Sequence, residues 1–175
     1  MISVTIGQPN PQYFGYTALH LYAVRSTATG SKRAIVIGAN SAAIDLHKVY
    51  DDLAIFLGNS ISYPIHGGDI RYFAILGNPD HLEYLTNEND GYMLVGYLDH
   101  ADVKKTRDFL LSNRFDDLEH VQRHYDNLSD EVKAHLEMLL DDQAVEDLHA
   151  YLETLVEFFD ECSTSGNEVV ILFNE

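Results

Sequence analysis

The chain has 175 residues, the size of one domain, because a chain of this length buries roughly 70% of its unfolded surface around a single core. Its 28 Asp and Glu outnumber 11 Lys and Arg, for a formal net charge of −17, which excludes direct binding to nucleic acid or to anionic membranes, since both attract cationic proteins. The single cysteine, Cys162, excludes an internal disulfide and a thiolate zinc cluster and favours a reducing compartment.

Two stretches near the start of the chain predict a β-hairpin. Residues 15–24 (GYTALHLYAV) and 32–38 (KRAIVIG) are rich in β-branched and aromatic side chains, which favour strands. The sequence RSTATGS between them is rich in turn-forming residues. A turn between two strand-forming stretches predicts that these strands pair with each other.

The next stretch, IDLHKVYDDLAIFLGN at residues 44–59, predicts an amphipathic helix that ends at Gly58 as its C-cap. Its apolar residues recur at helical spacing on one face: Leu46, Val49, Tyr50, Leu53, Phe56 and Leu57. His47 and Asp51 lie four residues apart on the other side and could share a metal ion or a proton. Two such ligands without a third do not make a site. We therefore interpret His47 and Asp51 as a solvated pair.

Residues 70–78 (IRYFAILGN) and 91–98 (GYMLVGYL) predict two further strands. The second strand leads into DHADVKKTRDFLLSN, where Asp99 is expected to cap a helix. The apolar residues of that helix that we expect in the core are Val103, Phe109 and Leu110. Strands therefore give way to helices in the second half of the chain.

The last third predicts helices and a closing strand. Ser129 is the expected N-cap of one helix, with Asp130 and Glu131 in its first turn, where they favour the helix dipole. A longer helix follows and is expected to stop at Gly166, after which NEVVILFNE has the composition of a buried strand. We predict an α+β fold, in which a mixed sheet is packed against helices, over one domain of residues 1–175.

The long final helix has two distinct faces. One face is apolar and is expected to pack on the body: Val145, Leu148, Leu152, Leu155, Val156, Phe159 and Cys162. The far face carries five carboxylates that form a candidate surface for binding a partner: Asp142, Glu146, Glu153, Glu157 and Asp160. After Lys133 the chain has no Lys or Arg, so we expect this acidic face to be exposed and unpaired.

Other clusters of polar residues are weaker candidates for a site. His120 and His124 in EHVQRHYD are one helical turn apart, but the Glu that serves as general base in zinc proteases is missing. The stretch IHGGDIRYF offers an alternative pocket, because its glycines allow close backbone approach. The residues of that pocket would be His66, Asp69, Arg71 and Tyr72. The nine His are scattered and Cys162 is expected in the core, so we predict no transition metal and no cofactor.

Four segments occur in a characteristic order over residues 44–173: IDLHKVYDDLAIFLG, GGDIRYFAILGN, GYLDHADVKKTRDFL and YLETLVEFFDECSTSGNEVVILF. In these segments the chain resembles the YfbM-like family of uncharacterised bacterial proteins. Tyr50 stands where the family often has Trp, and the first 40 residues fit the pattern poorly. The resemblance implies an α+β fold and a bacterial or phage origin, and it brings no established reaction.

Charge and motifs together favour a non-catalytic binding protein over an enzyme. An acidic field attracts a basic protein and can raise its association rate by roughly 10-fold to 1000-fold at low salt. An immunity or inhibitor protein that neutralises a toxin or nuclease would fit. The alternatives are a small cytoplasmic enzyme using the His66, Asp69 and Arg71 pocket, and an acidity that only confers solubility. No basic leader or long apolar stretch occurs, so we expect a cytoplasmic protein.

Overall fold

The protein has an α+β fold, in agreement with the sequence. A computed structural model describes residues 2–6, 18–24, 27–29, 32–37, 43–46, 49–63, 68–87, 92–140 and 143–174. Within these ranges eight strands form two four-stranded sheets, and six α-helices and two short 3-10 segments complete the fold. The predicted long C-terminal helix followed by a final strand is confirmed.

One sheet is antiparallel and carries the main core. Its strands, in spatial order, are β5 (Ala43–Asp45), β2 (Ala18–Val24), β8 (Glu168–Asn174) and β7 (Tyr92–Leu98). Successive residues of β8 point to opposite faces, yet Val169, Val170, Ile171 and Leu172 are all buried. Both faces of the sheet are therefore covered at β8, one of its two inner strands.

The second sheet is mixed and its order is β3 (Thr27–Thr29), β4 (Lys32–Ile37), β1 (Ile2–Ile6) and β6 (Leu85–Asn87). Both β4 and β6 run parallel to β1, and β3 is antiparallel to β4. The predicted pairing of residues 15–24 with residues 32–38 is wrong, because β2 and β4 belong to different sheets. The β-branched Thr27 and Thr29 extend part of the expected turn into a strand, and β4 pairs with that strand.

The helix expected in residues 44–59 is shorter than predicted. Residues 43–45 form β5, and Leu46 N continues the pairing with β2 by donating to Leu19 O at 2.9 Å. The helix α1 spans Tyr50–Gly58. The expected cap at Gly58 is wrong by one residue, since Gly58 is the last helical residue and Asn59 takes the left-handed conformation with φ 48°. Asn tolerates that conformation better than other residues with a side chain, apart from Asp.

Residues 70–78 form helical turns, so the predicted strand is wrong. A 3-10 segment spans Ile70–Tyr72 and continues into α2 at Phe73–Leu76. The Asp69 side chain begins the segment by accepting from Arg71 N at 3.0 Å. Burial explains the misleading pattern, because every residue from Tyr72 to Ile75 is buried, and a short continuous apolar run cannot distinguish a buried strand from a buried helix.

The helices of the second half agree well with their predicted signals. They are α3 (His100–Ser112), α4 (Leu118–Asp126), α5 (Asp130–Leu140) and α6 (Ala144–Ser165). Asp99 caps α3 by accepting from Asp102 N, and Ser129 Oγ accepts from Val132 N at the start of α5. Gly166 ends α6 with φ 69°. The apolar face predicted for α6 is buried throughout.

The helices α3 and α6 lie against each other and both contact β8. The α6 helix also contacts α4, α5 and β5, so it lies at the centre of the helical layer. Among the described residues, no helix has the length and apolar character that crossing a membrane would require.

Candidate functional site

A buried carboxylate and a histidine meet where β7 leads into α3. Asp102, in the first turn of α3, is 3% exposed. Its Oδ2 accepts from Asn78 Nδ2 at 2.8 Å and lies 2.9 Å from His81 Nε2. A second carboxylate oxygen, Asp99 Oδ2, lies 3.5 Å from the same His81 nitrogen. We call His81, Asp99 and Asp102 the His-Asp cluster.

Backbone hydrogen bonds bring these residues together from two separate segments. Asn78 N donates to Tyr97 O at 3.1 Å, which fixes the end of α2 to β7. A 3-10 segment at Pro79–Tyr84 then places His81, whose N donates to Asn78 O at 3.2 Å. The Asn78 side chain spans the junction, because its Oδ1 accepts from Asp80 N while its Nδ2 donates to Asp102. Asn78 therefore fixes the geometry of both halves of the cluster.

Two glycines permit this close approach. A Cβ added at Gly96 of β7 would lie 2.1 Å from Leu76 O, far closer than the van der Waals contact distance of two non-bonded atoms. Gly77 has φ +73°, and a Cβ there would lie 2.7 Å from Tyr97 N. The sequence thus needs glycine on both sides of the contact between α2 and β7.

The surroundings of the cluster orient its side chains. Asp99 Oδ1 accepts from Asp102 N at 2.9 Å as the helix cap, which leaves Oδ2 toward His81. The His81 ring packs edge-on against the Tyr97 ring, with centroids 5.4 Å apart. Lys105 Nζ lies 3.5 Å from Asp102 Oδ1, on a side chain that is 66% exposed. The Lys105 ammonium therefore approaches the buried Asp102 carboxylate from the solvent side.

The cluster has the composition of a cation site. His81, Asp99 and Asp102 each offer one ligand atom, and these atoms all lie within 4.8 Å of one another. Imidazole nitrogen and carboxylate oxygen are common ligands of divalent metal ions. A hydrogen-bonded Asp and His pair can also serve only to hold two segments together, as the Asn78 contacts already do.

The alternative pocket predicted from the sequence is occupied by contacts within the protein. Asp69 and Arg71 form an ion pair at 2.6 Å, and Arg71 Nη1 donates to Gly58 O at 3.2 Å. The hydrogen bond from Arg71 holds the pKa of Asp69 below its usual range. Tyr72 is buried beside Gly58, where its hydroxyl fills the space of a Cβ, and its ring stacks on Tyr63. His66 lies outside the described residues.

The acidic face of the final helix is exposed as predicted. Glu146, Glu153, Glu157 and Asp160 are all exposed. None of these four carboxylates forms a salt bridge within 4.0 Å among the described residues. Asp142, the fifth predicted member, lies outside the described residues. We call Glu146, Glu153, Glu157 and Asp160 the α6 acidic face.

The two histidines in EHVQRHYD do not converge on a common point. His124 lies between Phe56 and Phe115, with ring centroids at 4.6 and 5.3 Å, and its Nε2 contacts Phe56 O at 3.3 Å. Burial lowers its pKa. His120 instead has its Nδ1 3.5 Å from Asp117 Oδ1. The pair therefore has two separate structural settings.

The other candidates from the sequence have structural contacts as well. Asp51 accepts a hydrogen bond from the Tyr63 hydroxyl, and burial together with Asp51 raises the Tyr63 pKa above its usual range. His47 lies outside the described residues. Cys162 is buried, as predicted, and burial raises the pKa of its thiol to about 12. A thiol with this pKa is not an activated nucleophile.

The His-Asp cluster was not predicted as a unit from the sequence. Asp99 was recognised only as a helix cap, and neither His81 nor Asp102 was singled out. His81 and Asp102 are separated by 21 positions, with β6 and β7 between them, so no local spacing motif connects the three residues. The only hint in the sequence was the pair of carboxylates, Asp99 and Asp102, at the start of a helix. That His81 lies beside them follows from the packing of Gly77 on Gly96, which the structure shows.

The fold and these sites define an acidic α+β protein with a solvent-facing carboxylate surface and a partly buried His-Asp cluster. The chain belongs to the family of the domain of unknown function DUF1877, whose model matches residues 35–172. This confirms the family resemblance found in the sequence. No curated protein matches the chain significantly.

A solved structure supports the same fold. The chain is similar to the crystal structure of YfbM from Escherichia coli, a protein of unknown function, with a TM-score of 0.57 and 15% sequence identity. The similarity covers 89% of this chain and 99% of YfbM. At this identity the likeness extends to the fold alone.

Proposed function

We propose that this protein is a non-catalytic acidic binding protein that engages a basic protein partner. The observation that carries the proposal is the exposure of the α6 acidic face without a salt bridge from any described residue. Four unpaired carboxylates on one rigid helix produce a field that a cationic surface can neutralise. A basic partner would supply the Lys and Arg that this part of the sequence lacks.

The two faces of α6 separate folding from recognition. Leu148, Leu152, Leu155 and Phe159 are fully buried and hold the helix to the body. Truncating one of these leucines to Ala would cost roughly 2 to 5 kcal/mol. Exposed carboxylates on the other face contribute little to stability. The acidic face can therefore be altered in an experiment while the fold is kept.

The finer proposal is an immunity or inhibitor role in the cytoplasm. Toxins and nucleases that act on nucleic acid need a cationic surface to bind phosphates, and an acidic protein can cover such a surface. The alternative enzyme at His66, Asp69 and Arg71 receives no support from the described contacts, since Asp69, Arg71 and Tyr72 are engaged within the protein.

Charge reversal on α6 tests the proposal. The variant Glu146→Lys, Glu153→Lys, Glu157→Lys should associate with a cationic partner recovered from the native host roughly tenfold more slowly, or slower still. Stopped-flow rates across a salt series would measure this, because screening shortens the reach of the field to about 8 Å at physiological ionic strength.

A matched control separates the α6 acidic face from the net charge. Reversing three other exposed carboxylates changes the net charge by the same amount: Asp116→Lys, Asp126→Lys and Glu131→Lys. The control should slow association much less than the α6 variant does. Equal slowing by both triple variants would assign the effect to overall charge. If the association rate changes neither with salt nor in either triple variant, the acidity serves only to keep the protein soluble.

A further inference from the structure

We propose that the His-Asp cluster binds one divalent transition metal ion, with Zn²⁺ as the first candidate. The ligand atoms would be His81 Nε2, Asp99 Oδ2 and Asp102 Oδ2. This inference involves no residue of the α6 acidic face, so it stands or falls separately from the proposed function. It also departs from the expectation of no metal site, which rested on sequence spacing alone.

The distances suit a tetrahedral ion. Bonds of 2.0 to 2.1 Å at tetrahedral angles place neighbouring ligand atoms about 3.3 Å apart. His81 Nε2 lies 2.9 Å from Asp102 Oδ2 and 3.5 Å from Asp99 Oδ2. Small side-chain rotations would bring both distances to the required value. Three protein ligands leave the fourth position open to water or a small ligand, as in zinc sites that keep an exchangeable position.

Hydrogen bonds around the cluster fix the orientation of the two carboxylate ligands. Asn78 Nδ2 holds Asp102 Oδ2, and Asp102 N holds Asp99 Oδ1. Such outer contacts fix ligand orientation in known metal sites. Binding of the ion by the Nε2 lone pair requires the His81 tautomer that carries its proton on Nδ1. The metal would replace the hydrogen bond between His81 and Asp102.

The charge balance favours a cation. Two carboxylates, one of them 3% exposed, face only one nearby cation among the described residues, the 66% exposed ammonium of Lys105. The N-terminus of α3 opposes a cation, but its partial charge is about half an elementary charge, less than that of either carboxylate. Lys105 can swing into solvent when a metal ion takes its place.

A second His and Asp pair in the protein provides a matched comparison. Asp117 caps α4 as Asp99 caps α3, and His120 Nδ1 lies 3.5 Å from Asp117 Oδ1. Among the described residues this pair has no third ligand that could share a cation. If any capping carboxylate beside a histidine could bind Zn²⁺, both places would bind it. A metal site that needs three ligands would bind Zn²⁺ only at the His-Asp cluster.

Calorimetric titration of the full chain with ZnCl₂, and separately with MnCl₂, tests the proposal after treatment with a chelator. We expect one Zn²⁺ per chain with a dissociation constant of about 1 μM or below, and weaker Mn²⁺ binding. His81→Gln and Asp99→Asn should each weaken Zn²⁺ binding roughly tenfold or more. Asn is as good a helix cap as Asp, so Asp99→Asn keeps the fold.

The controls Asp117→Asn and His120→Gln should leave this binding unchanged. Lys105→Gln, at an exposed position, should tighten Zn²⁺ binding roughly twofold to fivefold, because it removes a competing positive charge. Circular dichroism of each variant would verify folding. The proposal is overturned if the wild type shows no one-to-one event, if His81→Gln or Asp99→Asn binds as the wild type does, or if Lys105→Gln fails to tighten binding.

Discussion

His124 illustrates at the scale of one residue how packing decides what a polar side chain does. A spacing of four residues suggests that His120 and His124 share a face, but the tertiary structure places the His124 ring between two phenylalanines. The ring is partly buried, and its pKa is lowered from 6.5 mainly by burial, against a smaller opposing effect of the Phe56 carbonyl. Protonation of His124 is therefore disfavoured in the folded state.

This burial predicts a contribution of His124 to the pH dependence of stability. The unfolded chain binds the proton with a pKa of about 6.5, and the folded chain binds it only at lower pH. The unfolded state thus holds more protons between these two values, so the free energy of unfolding falls as the pH drops below about 6.5. His124→Phe should remove this part of the loss.

Urea unfolding of the wild type and His124→Phe at several values between pH 7.5 and 5.5 (roughly the range in which histidine titrates) would measure the difference. His149→Gln, at a half-buried ring whose Nε2 contacts the Asp116 carbonyl, serves as the control histidine. If the wild type and His124→Phe lose stability in parallel over this range, His124 has no such role.

At the scale of elements, the contact between α2 and β7 determines the architecture around the His-Asp cluster. The segment 70–78 must turn helically and end at Gly77 so that Asn78 can bond to β7. Gly96 provides the opposite side of this contact. The register of β7 against β8 also shifts between Leu94 and Gly96, which marks a bulge at the same place.

A glycine substitution should test this contact. Gly96→Ala would place a Cβ 2.1 Å from the Leu76 backbone oxygen, an atom that cannot move without shifting α2. We expect a loss of about 1 to 3 kcal/mol of unfolding free energy, or more. Gly68→Ala is the control, because the nearest atom to its Cβ would be Pro79 Cγ at 4.0 Å.

Thermal and urea unfolding of both variants would give the comparison. The control should stay within about 0.5 kcal/mol of the wild type, as most surface changes do. Equal stability of Gly96→Ala and Gly68→Ala would show that α2 and β7 are less closely packed than described.

The sequence predicted those elements whose signals are local. Asp99, Ser129 and Gly166 mark helix ends by their own hydrogen bonding or backbone freedom, and the period of α6 directly reflects its buried face. Pairing partners were not predictable in this way. Thr27 to Thr29 became a strand because β4 was available beside it, and the His-Asp cluster depends on an approach between segments that no spacing encodes.

At the scale of the whole molecule, charge is the dominant property. The net charge is −17, and residues 91–175 hold 20 acidic and 6 basic residues against 8 and 5 in residues 1–90. Carboxylates of this density repel one another in the folded state and reduce its stability. The same repulsion keeps chains apart in solution and creates the field on which the proposed partner would act.

Salt should therefore stabilise the protein. We expect the melting temperature to rise as NaCl increases from about 0.01 to 1 M, because the Debye length shortens from about 30 to 3 Å. The triple reversal on α6 changes the net charge from −17 to −11, a smaller magnitude, since each Glu→Lys change adds two positive charges to the sum. Its melting temperature should respond less to NaCl. An equal or larger response would mean that local contacts, and not self-repulsion, set the effect of salt.

The position of β8 between β2 and β7 has a consequence for synthesis on the ribosome. Ala18 pairs with Asn174 and Val24 with Glu168, so β8, one of the two inner strands of the antiparallel sheet, emerges long after its neighbour β2. At about 5 to 20 residues per second, the 150 positions from Ala18 to Glu168 take roughly 8 to 30 s. During that interval the nascent chain exposes strand edges without their native neighbour. Folding of this sheet is therefore completed only after β8 has left the exit tunnel, and until then the unpaired edge of β2 is a site at which aggregation can begin.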